Sequence, residues 1–203
     1  MTIDEVMRSA PVIPVLVLDG SLDPAALAET LVGAGLPVLE VTLRTPNALE
    51  AIRAMAAVDG AIVGAGTVLD EAMLGQAIEA GARFIVAPGL TEPLGRAAIA
   101  SGIPFLPGVV TASDIMRGLD LGLDRFKFFP AEAAGGLAAL SALAGPFGQV
   151  RFCPTGGIRA DSAAAWLGHP AVACVGGSWI VRPGDTDLAA IGDRARGAAT
   201  LGV

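Results

Sequence analysis

A chain of 203 residues with 53% hydrophobic content can bury a large core and is short enough for one domain, so residues 1–203 read as a single unit. A net charge of −7 without any block of Lys or Arg excludes the clustered cations that nucleic-acid binding needs, and one histidine with two cysteines offers neither a soft-metal cluster nor a disulfide framework. Apolar runs such as 12–18 and 171–175 fall short of the ~20 residues that span a bilayer, and the acidic start Met1-Thr2-Ile3-Asp4-Glu5 lacks the layout of a secretory leader, which leaves the cytoplasm as the expected location.

In chain order, short Val/Ile/Leu/Phe-rich runs recur roughly every 25 residues, each followed by a turn signal and an Ala/Leu-rich amphipathic stretch. Strands are expected at 12–18, 38–43, 61–64, 84–86, 104–106, 125–128, 150–152 and 172–175. The helices that follow them are expected at 24–35, 46–58, 70–80, 92–101, 112–121, 136–144, 161–167 and 185–201, several opening on proline or on an acidic or hydroxyl residue. Parallel strands alternating with helices suit a closed barrel or a doubly wound open sheet, and periodicity alone does not separate the two. The count favours an α/β fold of the (β/α)8 TIM-barrel type. The segment after the first strand, Leu18-Asp19-Gly20-Ser21-Leu22-Asp23, also lacks the Gly-x-Gly-x-x-Gly of a dinucleotide-binding fold. Cys153 and Cys174 lie in apolar runs and read as reduced core residues; His169, in Gly-His-Pro, reads as a turn residue.

The second strand carries Val38-Leu39-Glu40-Val41-Thr42-Leu43-Arg44. Alternation puts Glu40, Thr42 and Arg44 on one face, toward the barrel interior, and Leu39, Val41 and Leu43 on the other, toward the helices. A buried carboxylate needs a cation, a donor network or a proton; Lys127 and Arg44 are the inward candidates, and the sequence leaves open which of them pairs with Glu40.

Of the 13 Lys and Arg residues one is a lysine, Lys127, in Arg125-Phe126-Lys127-Phe128-Phe129-Pro130. Alternation turns Phe126 and Phe128 toward the helices and Lys127 inward, near the C-terminal end of its strand, where the catalytic groups of this fold collect. An amine can lose its proton and attack a carbonyl, which arginine cannot do, and burial among aromatics favours the neutral form. A carboxylate beside it would act in the opposite sense.

After the seventh strand comes Pro154-Thr155-Gly156-Gly157-Ile158 and after the eighth Gly176-Gly177-Ser178-Trp179. Paired glycines let backbone N–H groups approach an anion, and a helix starting nearby would add its positive end; this placement is the recurrent phosphate site of (β/α)8 enzymes. Gly64-Ala65-Gly66-Thr67-Val68, after the third strand, offers a further close-approach loop with Thr67 as a donor. Pro88-Gly89 and Pro107-Gly108 read as turn punctuation.

Together, Glu40-Val41-Thr42-Leu43-Arg44-Thr45-Pro46, Gly64 to Val68, Lys127-Phe128-Phe129-Pro130-Ala131-Glu132, Arg151 to Ile158 and Val175 to Trp179 resemble the 2-keto-3-deoxy-6-phosphogluconate (KDPG) aldolase family of class I aldolases. The resemblance implies Lys127 as the Schiff-base lysine, Glu40 as general acid/base, and Arg44 and Thr67 at the pyruvoyl carboxylate. It further implies Gly156, Gly157, Gly177 and Ser178 around the phosphate, with Thr155, Phe129 and Pro88 as other pocket residues. The expected partners are a phosphorylated keto-sugar acid and pyruvate, with no metal, no cofactor beyond the covalent imine on Lys127, and a homotrimeric assembly. Ala87-Pro88-Gly89 and Thr111-Ala112-Ser113-Asp114 depart from the family's usual Ser-Pro-Gly and Thr-Pro-Ser-Glu, and both spare the groups assigned to chemistry. Rival readings are an aldolase for 4-hydroxy-2-oxoglutarate or the phosphogalactonate analogue, and a phosphate-binding barrel without catalysis.

Overall fold

The computed structural model describes residues 1–201. Its elements run α1 (Ile3–Arg8), β1 (Val12–Leu16), α2 (Pro24–Gly33), β2 (Val38–Thr42), α3 (Ala48–Ala56), β3 (Ile62–Gly66), α4 (Glu71–Glu79), β4 (Phe84–Val86) and α5 (Glu92–Ser101). There follow β5 (Phe105–Leu106), β6 (Gly108–Val109), α6 (Ala112–Asp120), β7 (Arg125–Phe128), α7 (Gly136–Ala144), β8 (Arg151–Pro154), α8 (Ala163–Leu167), β9 (Val175–Gly177) and α9 (Leu188–Ala199). Six strands pair in the order β5-β4-β3-β2-β1-β9 and three in the order β6-β7-β8, all parallel. Parallel neighbours need crossover connections, which the intervening helices supply.

The two sheets follow one another around a curled surface. Pro107 alone separates β5 from β6: a proline has no N–H to give to the ladder, so the pairing is interrupted there, and strand structure runs past the expected 104–106 into Gly108-Val109, where the sequence reads as a turn at Pro107-Gly108. Its carbonyl still accepts from Lys127 N at 2.9 Å, while Ala87 N donates to Leu106 O at 3.2 Å, so the segment passes from β4 to β7 as a partner. On the opposite flank, parallel bridges Phe152↔Val172 and Thr155↔Gly176 link β8 to the segment containing β9.

The eighth expected strand, 172–175, overlaps β9 only at Val175. Pairing with β1 runs through Val12↔Val175, Ile13↔Gly176 and Pro14↔Gly177, so the ladder continues through two residues that look like turn glycines in the sequence. The last helix starts at Leu188 rather than 185, because Asp187 is its N-cap and accepts from Ala189 N and Ala190 N. His169 lies in a turn, where its Nδ1 accepts from Ala171 N at 3.1 Å.

Alternation sorts the core into two groups. Outward strand residues such as Leu39, Val41, Phe126 and Phe128 join helix residues in one cluster. Phe128 packs edge-on to Phe152 at 6.5 Å and against Trp166 of α8 at 6.4 Å. A second cluster holds Ile13, Val38, Phe84, Val86, Leu106, Cys153 and Cys174 from the strand segments together with Val6 and Met7 of α1.

The helix α1 was not anticipated from the sequence. Its signal is a capping box: Thr2 Oγ1 accepts from Glu5 N at 3.2 Å and Glu5 Oε2 from Thr2 N at 2.6 Å. Burying Val6 and Met7 fully contributes about 1.5–3 kcal/mol each. Asp4 ties α1 to the start of β7 through Arg125 Nε at 2.5 Å, and that hydrogen bond, with Arg8 second, holds the Asp4 carboxyl below the usual carboxylate range. Among the described residues no helix is long and apolar enough to cross a membrane.

Candidate active site

Glu40 lies in β2 and Lys127 in β7, strands of different sheets, and the two side chains meet across the interior. Lys127 Nζ donates to Glu40 Oε1 at 3.0 Å and lies 3.4 Å from Oε2. Relative exposures of 4% for Lys127 and 3% for Glu40 take both charges out of bulk water. The question the sequence left open is therefore answered in favour of Lys127 as the partner of Glu40. The face of Phe129 lies 5.4 Å from Nζ and adds an attraction for the cation.

Glu40 reaches Nζ because β3 leaves room for it. Strands β2 and β3 pair in the register Glu40↔Gly64 and Thr42↔Gly66, so both glycines share the inward face. A Cβ on Gly66 would lie 2.7 Å from Glu40 Cγ and closer still to Oε1. The sequence reading treated this segment only as a loop and missed Gly66 as the seat of the carboxylate. The available signal was its spacing of two from Gly64 beside an inward glutamate. Thr42 is fully buried, and its hydroxyl donates to Leu16 O at 2.9 Å.

Arg44 departs from expectation. The strand ends at Thr42, so Arg44 lies in the following turn and is exposed rather than directed into the interior, and its guanidinium has no acidic partner among the described residues. It is thereby available to an incoming carboxylate. Thr67, immediately after β3, is half-buried and has φ +61, the one positive φ at a non-glycine among the described residues. Pro88, after β4, is half-buried, and its carbonyl fills the space a Cβ on Gly108 would take. No hydrogen bond among the described residues joins Arg44, Thr67, Pro88 or Ser178 to the Lys127–Glu40 pair.

The two glycine loops do come together. Thr155, 6% exposed, bridges Gly176, and its methyl sits 2.8 Å from where a Gly176 Cβ would be. Gly156 and Gly157 both have positive φ, +103 and +83, and a Cβ on Gly156 would be 3.3 Å from the Phe129 ring. A Cβ on Gly177 would meet the Trp179 ring at 2.5 Å, and Ser178 beside it is exposed. Among the described residues the N–H groups of Gly156, Gly157 and Ser178 donate to no protein acceptor, leaving three donors for an anion. The helix contribution expected there is absent: α9 begins ten residues beyond Ser178 with its first N–H groups capped by Asp187, and α8 begins only at Ala163.

Cys153 and Cys174 are free and buried on the interior side. The Cys153 contact, then burial, pushes the Cys174 thiol well above its usual range, so it stays protonated. No group of three or more His, Cys, Asp or Glu among the described residues is placed to hold a metal ion.

Comparison with known proteins places this geometry in a family. The model of the KDPG and KHG aldolase family matches residues 3–193. A 2-dehydro-3-deoxy-phosphogluconate aldolase from Zymomonas mobilis subsp. mobilis is 61% identical over 189 residues, covering 93% of this chain and 91% of the relative. The crystal structure of the Zymomonas mobilis ZM4 2-keto-3-deoxy-6-phosphogluconate aldolase with 3-phosphoglycerate superposes with a TM-score of 0.96 at 59% identity, over 98% of this chain and 95% of that one. A Legionella pneumophila KDPG aldolase with pyruvate captured at low pH as a covalent carbinolamine intermediate gives a TM-score of 0.95 at 42% identity, over 98% and 99% of the two chains. The chain belongs to the KDPG and KHG aldolase family.

Proposed function

We propose that this protein is a class I aldolase that cleaves 2-keto-3-deoxy-6-phosphogluconate into pyruvate and glyceraldehyde 3-phosphate through a Schiff base on Lys127. The observation that carries the reading is the buried amine of Lys127, 3.0 Å from the Glu40 carboxylate. The 61% identical Zymomonas relative bears the name of this activity, and pyruvate in the Legionella structure is held as a carbinolamine, the adduct of an amine and a ketone.

In the proposed sequence Glu40 takes a proton from Lys127, and the freed amine attacks the C2 ketone to give a carbinolamine. Glu40 returns a proton to the C2 hydroxyl, water leaves, and a protonated imine remains. The carboxylate, again without a proton, takes one from the C4 hydroxyl. The C3–C4 bond breaks, its electron pair enters the imine as an enamine, and glyceraldehyde 3-phosphate departs. Protonation at C3 and addition of water release pyruvate and restore the lysine. No cofactor beyond the covalent imine is required.

Arg44 and Thr67 are assigned to the substrate carboxylate, a planar group that a guanidinium binds through two parallel hydrogen bonds. The unspent N–H groups of Gly156, Gly157 and Ser178, with Gly177 between the loops, suit the phosphate. Thr155, Phe129 and Pro88 complete the pocket. Holding the remote phosphate puts binding energy into orienting the reacting carbons. The family also covers KHG aldolases, and an unphosphorylated 4-hydroxy-2-oxoglutarate is the second substrate to test.

The same reading takes the two sheets as parts of one closed (β/α)8 barrel forming a single domain. It is supported by the single-residue break at Pro107 and by the bridges from β8 to Val172 and Gly176. A cytoplasmic homotrimer acting on small molecules completes it. Borohydride reduction in the presence of pyruvate tests the chemistry: the intact mass should rise by one reduced pyruvate adduct on Lys127, and Lys127→Arg should abolish both adduct and turnover. Absence of an adduct in the unaltered protein would favour a barrel that binds phosphate without catalysis.

A further inference from the structure

Glu132 belongs to neither the acid/base pair nor the anion loops, yet it touches the structures that carry both. Its Oε1 accepts from Trp166 Nε1 at 3.1 Å. Trp166, on α8, is 2% exposed, and a buried indole N–H left without an acceptor would carry the full penalty of its lost hydration. The Trp166 ring packs on Phe128, the neighbour of Lys127. Along its other side Glu132 walls the glycine loop: a Cβ on Gly157 would lie 2.7 Å from Glu132 Cβ and 2.8 Å from its Cγ.

That wall matters because of what the loop is made of. Gly156 and Gly157 hold left-handed backbone angles, and glycine occupies positive and negative φ about equally, so their own chemistry does not fix where their N–H groups point. The clamps come from outside. Ala131 N donates to Thr155 O at 2.8 Å and Glu132 N to Gly156 O at 3.0 Å, which fixes two carbonyls of the loop. On one face Gly156 meets Phe129 and Pro130, and on the other Gly157 meets the Glu132 side chain, itself held by Trp166.

We propose that Glu132 is a positioning residue that, tethered by Trp166, holds Gly156 and Gly157 in the conformation that presents their N–H groups to a phosphate, and so sets the preference for phosphorylated over unphosphorylated substrate; this rests on the aldolase reading above. Its carboxylate acts as a hydrogen-bond acceptor and a steric wall, and its negative charge is not needed for either task. An amide of the same shape therefore serves as well as the acid.

The test compares Glu132→Ala, Glu132→Gln and Trp166→Phe with the unaltered protein on KDPG and on 4-hydroxy-2-oxoglutarate. Glu132→Ala should lower kcat/KM for the phosphorylated substrate about five- to tenfold, the size one net hydrogen bond supports, through KM. It should change the unphosphorylated substrate by less than about twofold on the same scale. Glu132→Gln should match the unaltered protein on both, and Trp166→Phe should reproduce the split in weaker form. Equal losses on both substrates, no loss on either, or failure of glutamine to substitute would overturn the proposal. Should Glu132→Ala not fold, an unchanged substrate ratio in Trp166→Phe would do so too. Inorganic phosphate titrated calorimetrically into each protein separates the two levels of inference. Weaker phosphate binding in Glu132→Ala but not Glu132→Gln upholds the brace even if turnover of KDPG is absent and the aldolase reading falls; unchanged phosphate binding removes the brace whatever the reaction.

Discussion

Replacing Lys127 by methionine keeps most of the side-chain volume and removes the charge, leaving the Glu40 carboxylate, 3% exposed, without its partner. Removing one member of a buried ion pair costs about 3–5 kcal/mol, because the remaining charge stays desolvated. The attraction to the Phe129 ring is lost as well, but at 5.4 Å it contributes about 0.5–2 kcal/mol, so the orphaned carboxylate dominates. For a domain of this size the loss lowers the thermal midpoint by on the order of 10 °C. Adding Glu40→Gln to Lys127→Met neutralises both positions and should recover most of the deficit. Urea unfolding of the two single variants and the double variant gives the coupling energy directly. Strict additivity of the two substitutions, or a Lys127→Met protein that unfolds at the original midpoint, would show that the amine and carboxylate are not a desolvated pair and would refute the reasoning.

Gly66→Ala should lower kcat by roughly a hundredfold, the lower end of what a displaced general acid/base costs, since the new Cβ would contact Glu40 Cγ at 2.7 Å; a kcat within twofold of the original would show that the carboxylate relaxes freely. Arg44→Ala should raise KM about tenfold or more with a smaller change in kcat, as expected for a charge-assisted contact to a carboxylate, and Arg44→Lys should not restore it because an ammonium lacks the fork; steady-state kinetics with either substrate checks this. Asp4→Asn should destabilise the protein at every pH above the range in which Asp4 titrates. The Asp4 carboxyl titrates below its unfolded value because of Arg125 and then Arg8, so the stability it contributes is present above the unfolded value and disappears as pH falls through the folded one. The gap between the denaturation midpoints of the two proteins should therefore begin to narrow as the pH falls below about 4 and close once the pH is below the folded value, and a gap that never narrows on acidification would contradict the assignment.

Alternation was enough to turn Glu40 and Lys127 inward and Phe126 and Phe128 outward, because a period of two is fixed by the backbone and the flanking residues were of one kind. Alternation carries no information about where a strand stops. It therefore kept Arg44 on the inward face, although β2 ends at Thr42 and the chain turns before the arginine. The same blindness placed the eighth strand at 172–175: glycine reads locally as a turn, yet Gly176 and Gly177 pair with Ile13 and Pro14. The partner of Glu40 lies 87 residues away on another sheet, a relation set by the curl of the sheets rather than by any local pattern. The helix α1 was legible in Thr2 and Glu5 but is only six residues long, too short for a hydrophobic period to stand out.

The inward glycines of β3 explain why such a pair fits at all. Neighbouring strands point side chains into the same small interior, and a chain that fills it with Phe84, Glu40 and Lys127 must leave other inward positions empty. Gly64 yields to the Phe84 ring, which would lie 2.5 Å from a Cβ there through its Cε1, and Gly66 yields to Glu40. Overpacking such a position costs about 1–3 kcal/mol, within what a domain can lose and stay folded. A shift of about 1 Å in a reacting group costs on the order of a hundredfold in rate. On the proposed mechanism the requirement for glycine at 66 is therefore set by where the carboxylate must stand relative to Nζ more than by stability. An alanine variant that folds but turns over slowly is the expected signature, and on the proposed mechanism a glycine that reads as a loop feature in the sequence helps set where the Glu40 carboxylate stands.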